Sequence, residues 1–198
     1  MYYLIMPKKS HRSVIVEAGR SVMFRSGYNG TSVRTISAEA GVPLGSFTNH
    51  FKSKEAFASE VLDDYFAYLT DIVDMTLGDE SMPALDRIRQ YFQVVSKKLA
   101  VDEWERGCLI GDLSAEATIQ SSLLREQLKA IFETWRVPFA KCIAEAQAEG
   151  SITNPEDPTE LAEFILASWE GAILRMKTER SASALDRFQR ILFQAILK

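Results

Sequence analysis

The sequence predicts an all-α protein of about nine helices. Every long segment repeats its apolar residues at intervals of three and four, the helical period, and none sustains the alternation of a half-buried strand. The breaks between segments fall on helix punctuation, with Ser, Pro or Asp at the starts and Gly at the stops. With 46% hydrophobic and 25% charged residues, and only ten Gly and six Pro, the composition excludes disorder, collagen and low complexity.

Residues 10–25 carry Val14, Ile15, Ala18, Val22 and Met23 on one helical face, and Gly27 is expected to end this first helix. After Gly30, the Thr31-Ser32 pair offers an N-cap to a short helix over 33–40, with Val33, Ile36 and Ala40 inward. Gly41-Val42-Pro43 forces a turn, and Pro43 suits the start of a third helix over 44–51, where a missing N–H costs nothing. Helix, short turn, helix is the layout in which one helix braces on the DNA backbone and the next enters the major groove. Ser53 caps a long fourth helix to Leu77, and Gly78 stops it. Pro83 opens a fifth helix to Val101, a short sixth covers 107–117, and a long seventh covers 120–149. Pro138 removes the bond to the Thr134 carbonyl and predicts a kink in the seventh. The loop Asn154-Pro155-Glu156-Asp157-Pro158 precedes an eighth helix to Lys177, and 181–197 forms the ninth.

The net charge of −4 hides a division. Residues 1–54 hold eight basic against two acidic groups, a net +6, and the remaining 144 residues hold 15 against 25, a net −10. A basic module binds polyanionic phosphate through counterion release, while an acidic body has a different task. No run approaches the roughly 18 apolar residues of a membrane span, and the apolar start precedes Lys8 and Lys9, the reverse of a signal peptide, so a cytoplasmic protein without a membrane partner is expected. Basic character begins at Met6-Pro7-Lys8-Lys9, which makes Met6 the expected native start, testable by intact mass.

Cys108 and Cys142 are too few for a disulfide framework and read as reduced thiols. His11 and His50 both lie in the basic module, so no metal or cofactor site is expected and the body has no imidazole base. No phosphate loop, Rossmann glycine pattern, Cys-x-x-Cys or His-Glu-x-x-His occurs, which argues against an enzyme. Asp112 and Glu116, four apart, read as a solvated or hydrogen-bonded pair.

The run Gly27-Tyr28, Gly30-Thr31-Ser32-Val33-Arg34-Thr35-Ile36, Ala40-Gly41-Val42, Gly45-Ser46-Phe47 and Phe51-Lys52-Ser53-Lys54-Glu55-Ala56-Phe57 resembles the TetR family of transcriptional regulators. Gly107-Cys108-Leu109 followed by Leu113-Ser114-Ala115-Glu116 is similar to the subgroup that contains the NemR and AcuR regulators. The resemblance implies a DNA-binding domain over 1–54, its first ~8 residues a flexible arm, and a ligand-binding and dimerisation domain over 55–198. It implies a homodimer on a near-palindromic double-stranded operator, with repression relieved by a small molecule or a reactive electrophile. The alternative is a helical adaptor for partner proteins, which predicts no salt-sensitive DNA affinity.

The expected DNA-binding residues are Thr31, Arg34, Leu44, Gly45, Ser46, Thr48, Asn49, His50 and Lys54. Gly45 allows close approach, Ser46 and Asn49 can bond base edges or phosphates, and Thr31, His50 and Lys54 occupy family positions that grip the backbone. Thr48 replaces the family's usual phosphate-contacting Tyr and Leu44 a frequent Lys or Arg, which predicts altered specificity rather than lost binding. Phe47 and Phe51 read as core.

The expected pocket lining is Tyr65, Tyr68, Tyr91, Trp104, Cys108, Trp135, Phe139 and Trp169, with Arg175 and Lys177 as cations for an anionic ligand. Beside Arg106, the Cys108 thiol is expected either to have a lowered pKa and react with electrophiles or oxidants, or to be a small buried hydrophobe. Dimerisation is expected through the last two helices at Ile165, Trp169, Ile173, Leu185, Phe188, Leu192 and Ile196.

Overall fold

The structure, a computed structural model, describes residues 10–198; the expected arm and the expected Met6 start lie outside the described residues. Among the described residues there are nine α-helices and no strand: α1 His11–Gly30, α2 Val33–Glu39, α3 Leu44–His50, α4 Lys54–Thr76, α5 Ala84–Val101, α6 Leu109–Glu116, α7 Ser122–Ala148, α8 Pro158–Glu179 and α9 Ser183–Ile191. A wider π-helical turn, Leu192–Ile196, closes the chain.

Most helices start on a side chain that satisfies an otherwise unpaired N–H. Ser10 accepts from Ser13 at 3.2 Å, Ser32 from Thr35 at 3.1 Å, Ser53 from Ala56 at 3.0 Å and Ser121 from Leu124 at 3.0 Å. Asp157 caps α8 through the amides of Thr159 at 2.8 Å and Glu160 at 3.3 Å. Each cap contributes about 1 kcal/mol, enough to set where a helix begins.

Two details depart from the sequence reading. Gly27, with φ +67° and ψ 178°, breaks α1 without ending it, and one more turn follows to Gly30. That backbone conformation is open to Gly at no steric cost. The seventh helix runs as one element of 27 residues with Pro138 inside it, as the sequence reading expects. At the chain end, the expected ninth helix widens after Ile191, and the Leu197 amide bonds the Leu192 carbonyl at 2.8 Å. The Lys198 carbonyl then accepts from the amides of Thr153 at 3.1 Å and Asn154 at 3.0 Å, which ties the end to the α7–α8 loop.

The first three helices pack around Ile15, Met23, Ile36, Phe47 and Phe51. One face of α4 lies on α1, the other on α5 and α7, and α7, α8 and α9 pack together to complete the body. Ion pairs Arg12–Glu60 at 2.5 Å and Arg20–Asp64 at 2.7 Å tie α1 to α4. Phe92 sits at the centre of the body, with ring centroids 4.8 Å from Trp169, 5.1 Å from Phe188, 5.4 Å from Tyr91 and 5.7 Å from Phe139. Burying each such ring contributes ~2–3 kcal/mol, so this cluster is a principal anchor of the body.

Candidate nucleic-acid interface and effector body

The aromatic side of α3 is a clasp. Phe47 and Phe51 pack against each other at 5.1 Å and against Phe57 of α4 at 5.0 and 4.8 Å, with almost no surface left exposed. Because these rings face inward, the helical period turns Leu44, Gly45, Thr48 and Asn49 outward together. His50 is exposed at the end of α3, and Ser46 is half-buried. A Cβ on Gly45 would meet nothing within 4 Å, so the protein itself does not require the small residue there. The Thr48 hydroxyl donates to the Gly45 carbonyl at 3.1 Å.

Two of the expected backbone-gripping residues have partners within the chain. Thr31 is buried, its hydroxyl donating to the Gly27 carbonyl at 2.6 Å, so it braces the break in α1. Lys54 lays its ammonium 4.4 Å from the Tyr28 ring centroid, and burial, outweighing the Glu116 carboxylate, lowers its pKa from the ordinary value. The positive charge of the head is also partly spent, since Arg12, Arg20 and Arg25 pair with Glu60, Asp64 and Glu39. Among the described residues, Arg34 and Lys52 of the head remain exposed without an ion-pair partner. Lys52 was not singled out by the sequence reading, although its place directly after α3 was visible there.

Head and body meet at the C-terminal end of α6. The Glu116 carboxylate accepts from the Asn29 amide at 3.0 Å and lies so close to Gly27 that a Cβ there would come within 2.2 Å of its oxygen. Asp112, by contrast, accepts from Lys177 of α8 at 3.0 Å. The two carboxylates are thus each hydrogen-bonded, to separate partners. Ser121 donates to Glu55, and the Gln127 amide donates to Asp63 at 2.6 Å, which fastens α7 to α4.

Four of the ten expected pocket residues are deeply buried core. Tyr91, Trp135, Phe139 and Trp169 are at most 2% exposed, and Trp135 Nε1 donates to the Tyr91 hydroxyl at 3.2 Å. They fill the space they were expected to enclose, because α5, α7 and α8 bring their large faces together. Arg175 is exposed and its Nε donates to Glu179 one turn on at 3.0 Å. Trp104 packs its ring partly against the core from a positive-φ loop position, φ +64°. Tyr65 and Tyr68 do line one, a half-open cavity of about 210 Å³ between α1, α4 and α5.

Cys108 and Lys177 line a second cavity of about 290 Å³ against α6 and α8. The thiol is buried, and Arg106 turns away from it to Asp102 at 3.7 Å and over the Phe24 ring. Burial first, then the Glu170 carboxyl, raise the thiol pKa well above its ordinary value, although the Ile110 and Gly111 amides favour the thiolate. The expected lowered pKa therefore gives way to its alternative, a buried neutral thiol. Glu170 is half-buried as a residue, but its Oε1 is wholly buried without a hydrogen-bond partner, and its other oxygen lies where a Cβ on Gly111 would be, within 2.3 Å. Burial pushes this carboxyl up to about 7.

The expected dimer residues also turn inward. Ile165, Trp169 and Leu185 have no exposed surface, and Ile173 and Leu192 have 4% and 2%, because α8 and α9 use these faces against their own chain. Phe188 and Ile196 are partly buried on the same core. The outward stripe of α8 is instead Phe164, Ala167, Gly171, Leu174 and Thr178, at heptad-like spacing, with Phe164 51% and Leu174 62% exposed. Ile191 of α9 is exposed as well.

An outward-facing short helix clamped by three aromatic rings, joined through α4 and α6 to a larger helical body, defines a helix-turn-helix DNA-binding regulator. Residues 15–61 match the family model of bacterial regulatory proteins, tetR family, and residues 84–192 that of the tetracyclin repressor-like C-terminal domain. The HTH-type transcriptional repressor DhaR of Mycobacterium sp. (strain GP1) is 44% identical over 192 residues, spanning 97% of this chain and 95% of its own. The transcriptional regulator AcuR of Cereibacter sphaeroides is 34% identical, spanning 91% of this chain and 82% of its own. Among solved structures, the regulatory protein TetR from Rhodobacter sphaeroides superposes with a TM-score of 0.89 at 32% identity, over 93% of this chain and 97% of that one. The reduced form of E. coli NemR gives 0.81 at 25% identity, over 96% and 98%. The chain belongs to the TetR family of transcriptional regulators, and its relatives include the AcuR and NemR subgroup expected from the sequence. No described helix is long and apolar enough to cross a membrane.

Proposed function

We propose that the chain is a cytoplasmic homodimeric repressor that binds a near-palindromic operator and releases it when a small molecule occupies the body. The observation that carries this reading is the outward face of α3, where Leu44, Gly45, Thr48 and Asn49 are exposed on a helix that Phe47, Phe51 and Phe57 hold rigid. Asn49 is the base-edge reader, with His50 and Ser46 beside it; Leu44 meets a thymine methyl, and Arg34 and Lys52 hold phosphates. Lys54 and Thr31 position the head rather than touch DNA, in keeping with their contacts to Tyr28 and Gly27. The division falls at the start of α4, with 1–54 as reading head and 55–198 as receiver.

The second copy packs on the outward stripe of α8, where Ala167 and Gly171 permit close approach between Phe164 and Leu174, and on Ile191 of α9. Two heads so joined address half-sites about 34 Å apart, one turn of DNA, so a small tilt of either head costs affinity.

The test is fluorescence anisotropy against DNA from upstream of the chain's own gene, and against genomic fragments selected without bias, at several salt concentrations with scrambled competitor. Competitor-resistant binding is expected, with log affinity falling against log salt at a slope of roughly −5 to −10, reduced by about 1 in Lys52→Gln. Absence of any sequence preference in both DNA sets would favour the adaptor reading.

A further inference from the structure

We propose that the cavity at the joint of α1, α4 and α5 is the effector site, and that it takes a small organic carboxylate with an apolar body. This rests on the reading of the chain as a ligand-released regulator and names the ligand chemistry and its place. The interior of the body is occupied by its own rings, so a ligand there must first displace Tyr91, Phe139 or Trp169 from tight packing. The joint cavity needs no such displacement. Its volume of about 210 Å³ exceeds the ~150 Å³ that accommodates benzene in an engineered protein cavity, leaving room for a ring or short chain and a carboxylate.

Its chemistry is divided in two. Leu69, Ile72, Val95 and Leu99 give an apolar wall, and Arg20, Lys98 and Arg106 bring three cations to it against the single lining carboxylate of Asp102. Two of the cations are compensated: Arg20 bonds Asp64 at 2.7 Å, and Arg106 lies 3.7 Å from Asp102. Lys98 has no carboxylate within ion-pair distance among the described residues, and its ammonium lies 5.1 Å from the Tyr68 ring centroid. The cavity therefore carries one uncompensated positive charge beside an apolar wall, where a ligand charge is screened less than in bulk water. A neutral molecule leaves that charge unmatched; a carboxylate on an apolar body satisfies both halves.

The location also supplies the consequence. Arg20 and Phe24 belong to α1, the first helix of the reading head, whereas Lys98 and Arg106 belong to the body side. A bound carboxylate competes with Asp64 for Arg20 and with Asp102 for Arg106, so it loosens the tie between α1 and α4 while it wedges α1 from α5. The head then shifts against a body whose dimer contacts stay in place, and the fixed half-site spacing is lost.

The experiment uses the full chain with benzoate and butyrate as probes and benzamide and butyramide as their uncharged counterparts. Thermal melting reports occupancy without DNA, and operator anisotropy reports release. Both carboxylates are expected to raise the melting temperature and dissociate the DNA complex, and the amides to do neither. Lys98→Gln is expected to weaken carboxylate binding about tenfold, the loss of one charge-assisted contact. Lys97→Gln, on an exposed neighbour outside the cavity, is expected to behave as the native chain. The proposal is overturned if neither carboxylate raises the melting temperature, if the amides act as well as the carboxylates, or if Lys98→Gln binds them like the native chain. Because melting needs no operator, these outcomes stand apart from a failure of DNA binding, which would count against the regulator reading itself.

Discussion

Glu170 offers a perturbation whose size follows from its surroundings. Its Oε1 is buried without a partner, its other oxygen rests against Gly111, and burial moves the carboxyl from 4.5 to about 7. Between those two pH values the folded chain keeps the proton and the unfolded chain has lost it, so stability must fall as pH rises through this window. A carboxyl moved that far corresponds to ~3 kcal/mol, fully present below about pH 4.5 and gone above about pH 7. Glu170→Gln keeps the shape and cannot ionise. The variant should therefore melt close to the native chain at pH 4.5 and higher than it at pH 8, by about 6–12 °C at matched protein concentration for a chain of this size. Differential scanning calorimetry across pH 4.5 to 8 measures the difference directly. A constant offset between the two proteins at every pH would refute the reasoning, because it would mean that Glu170 titrates alike in both states.

Leu174→Glu places a charge on the outward stripe of α8 without touching the core, so light scattering should show a monomer whose melting has lost its dependence on protein concentration. If it stays a dimer, the stripe is not the interface. Glu116→Gln replaces the charged acceptor of the Asn29 amide with a neutral one and removes the carboxylate facing Lys54, a loss of ~1 kcal/mol. Hydrogen exchange at Asn29 should accelerate several-fold while α8 is unaffected, and equal protection in both proteins would show that this contact does not hold the head to the body.

Helix positions and the helix-turn-helix register were legible in the sequence because both are local. The period of three and four, Ser32 and Ser53 as caps, and Pro43 ahead of α3 act within one or two turns of themselves, and Phe47 and Phe51 had to be inward on so short a helix. With that face buried, the outward set of Leu44, Gly45, Thr48 and Asn49 followed. What the sequence left open were choices made by distant partners. A large aromatic residue can line a cavity or fill it, and Tyr91, Phe139 and Trp169 fill it because α5, α7 and α8 converge on the same space. Cys108 is a neutral thiol first because the fold buries it, and then because Glu170, remote in sequence, faces it while the adjacent Arg106 turns away. Thr31 braces Gly27, and α8 turns Phe164 and Leu174 outward while Ile165 and Trp169 are buried. Where a helix segment lies is written largely in its own residues; which of its faces meets what is decided only when the other segments arrive.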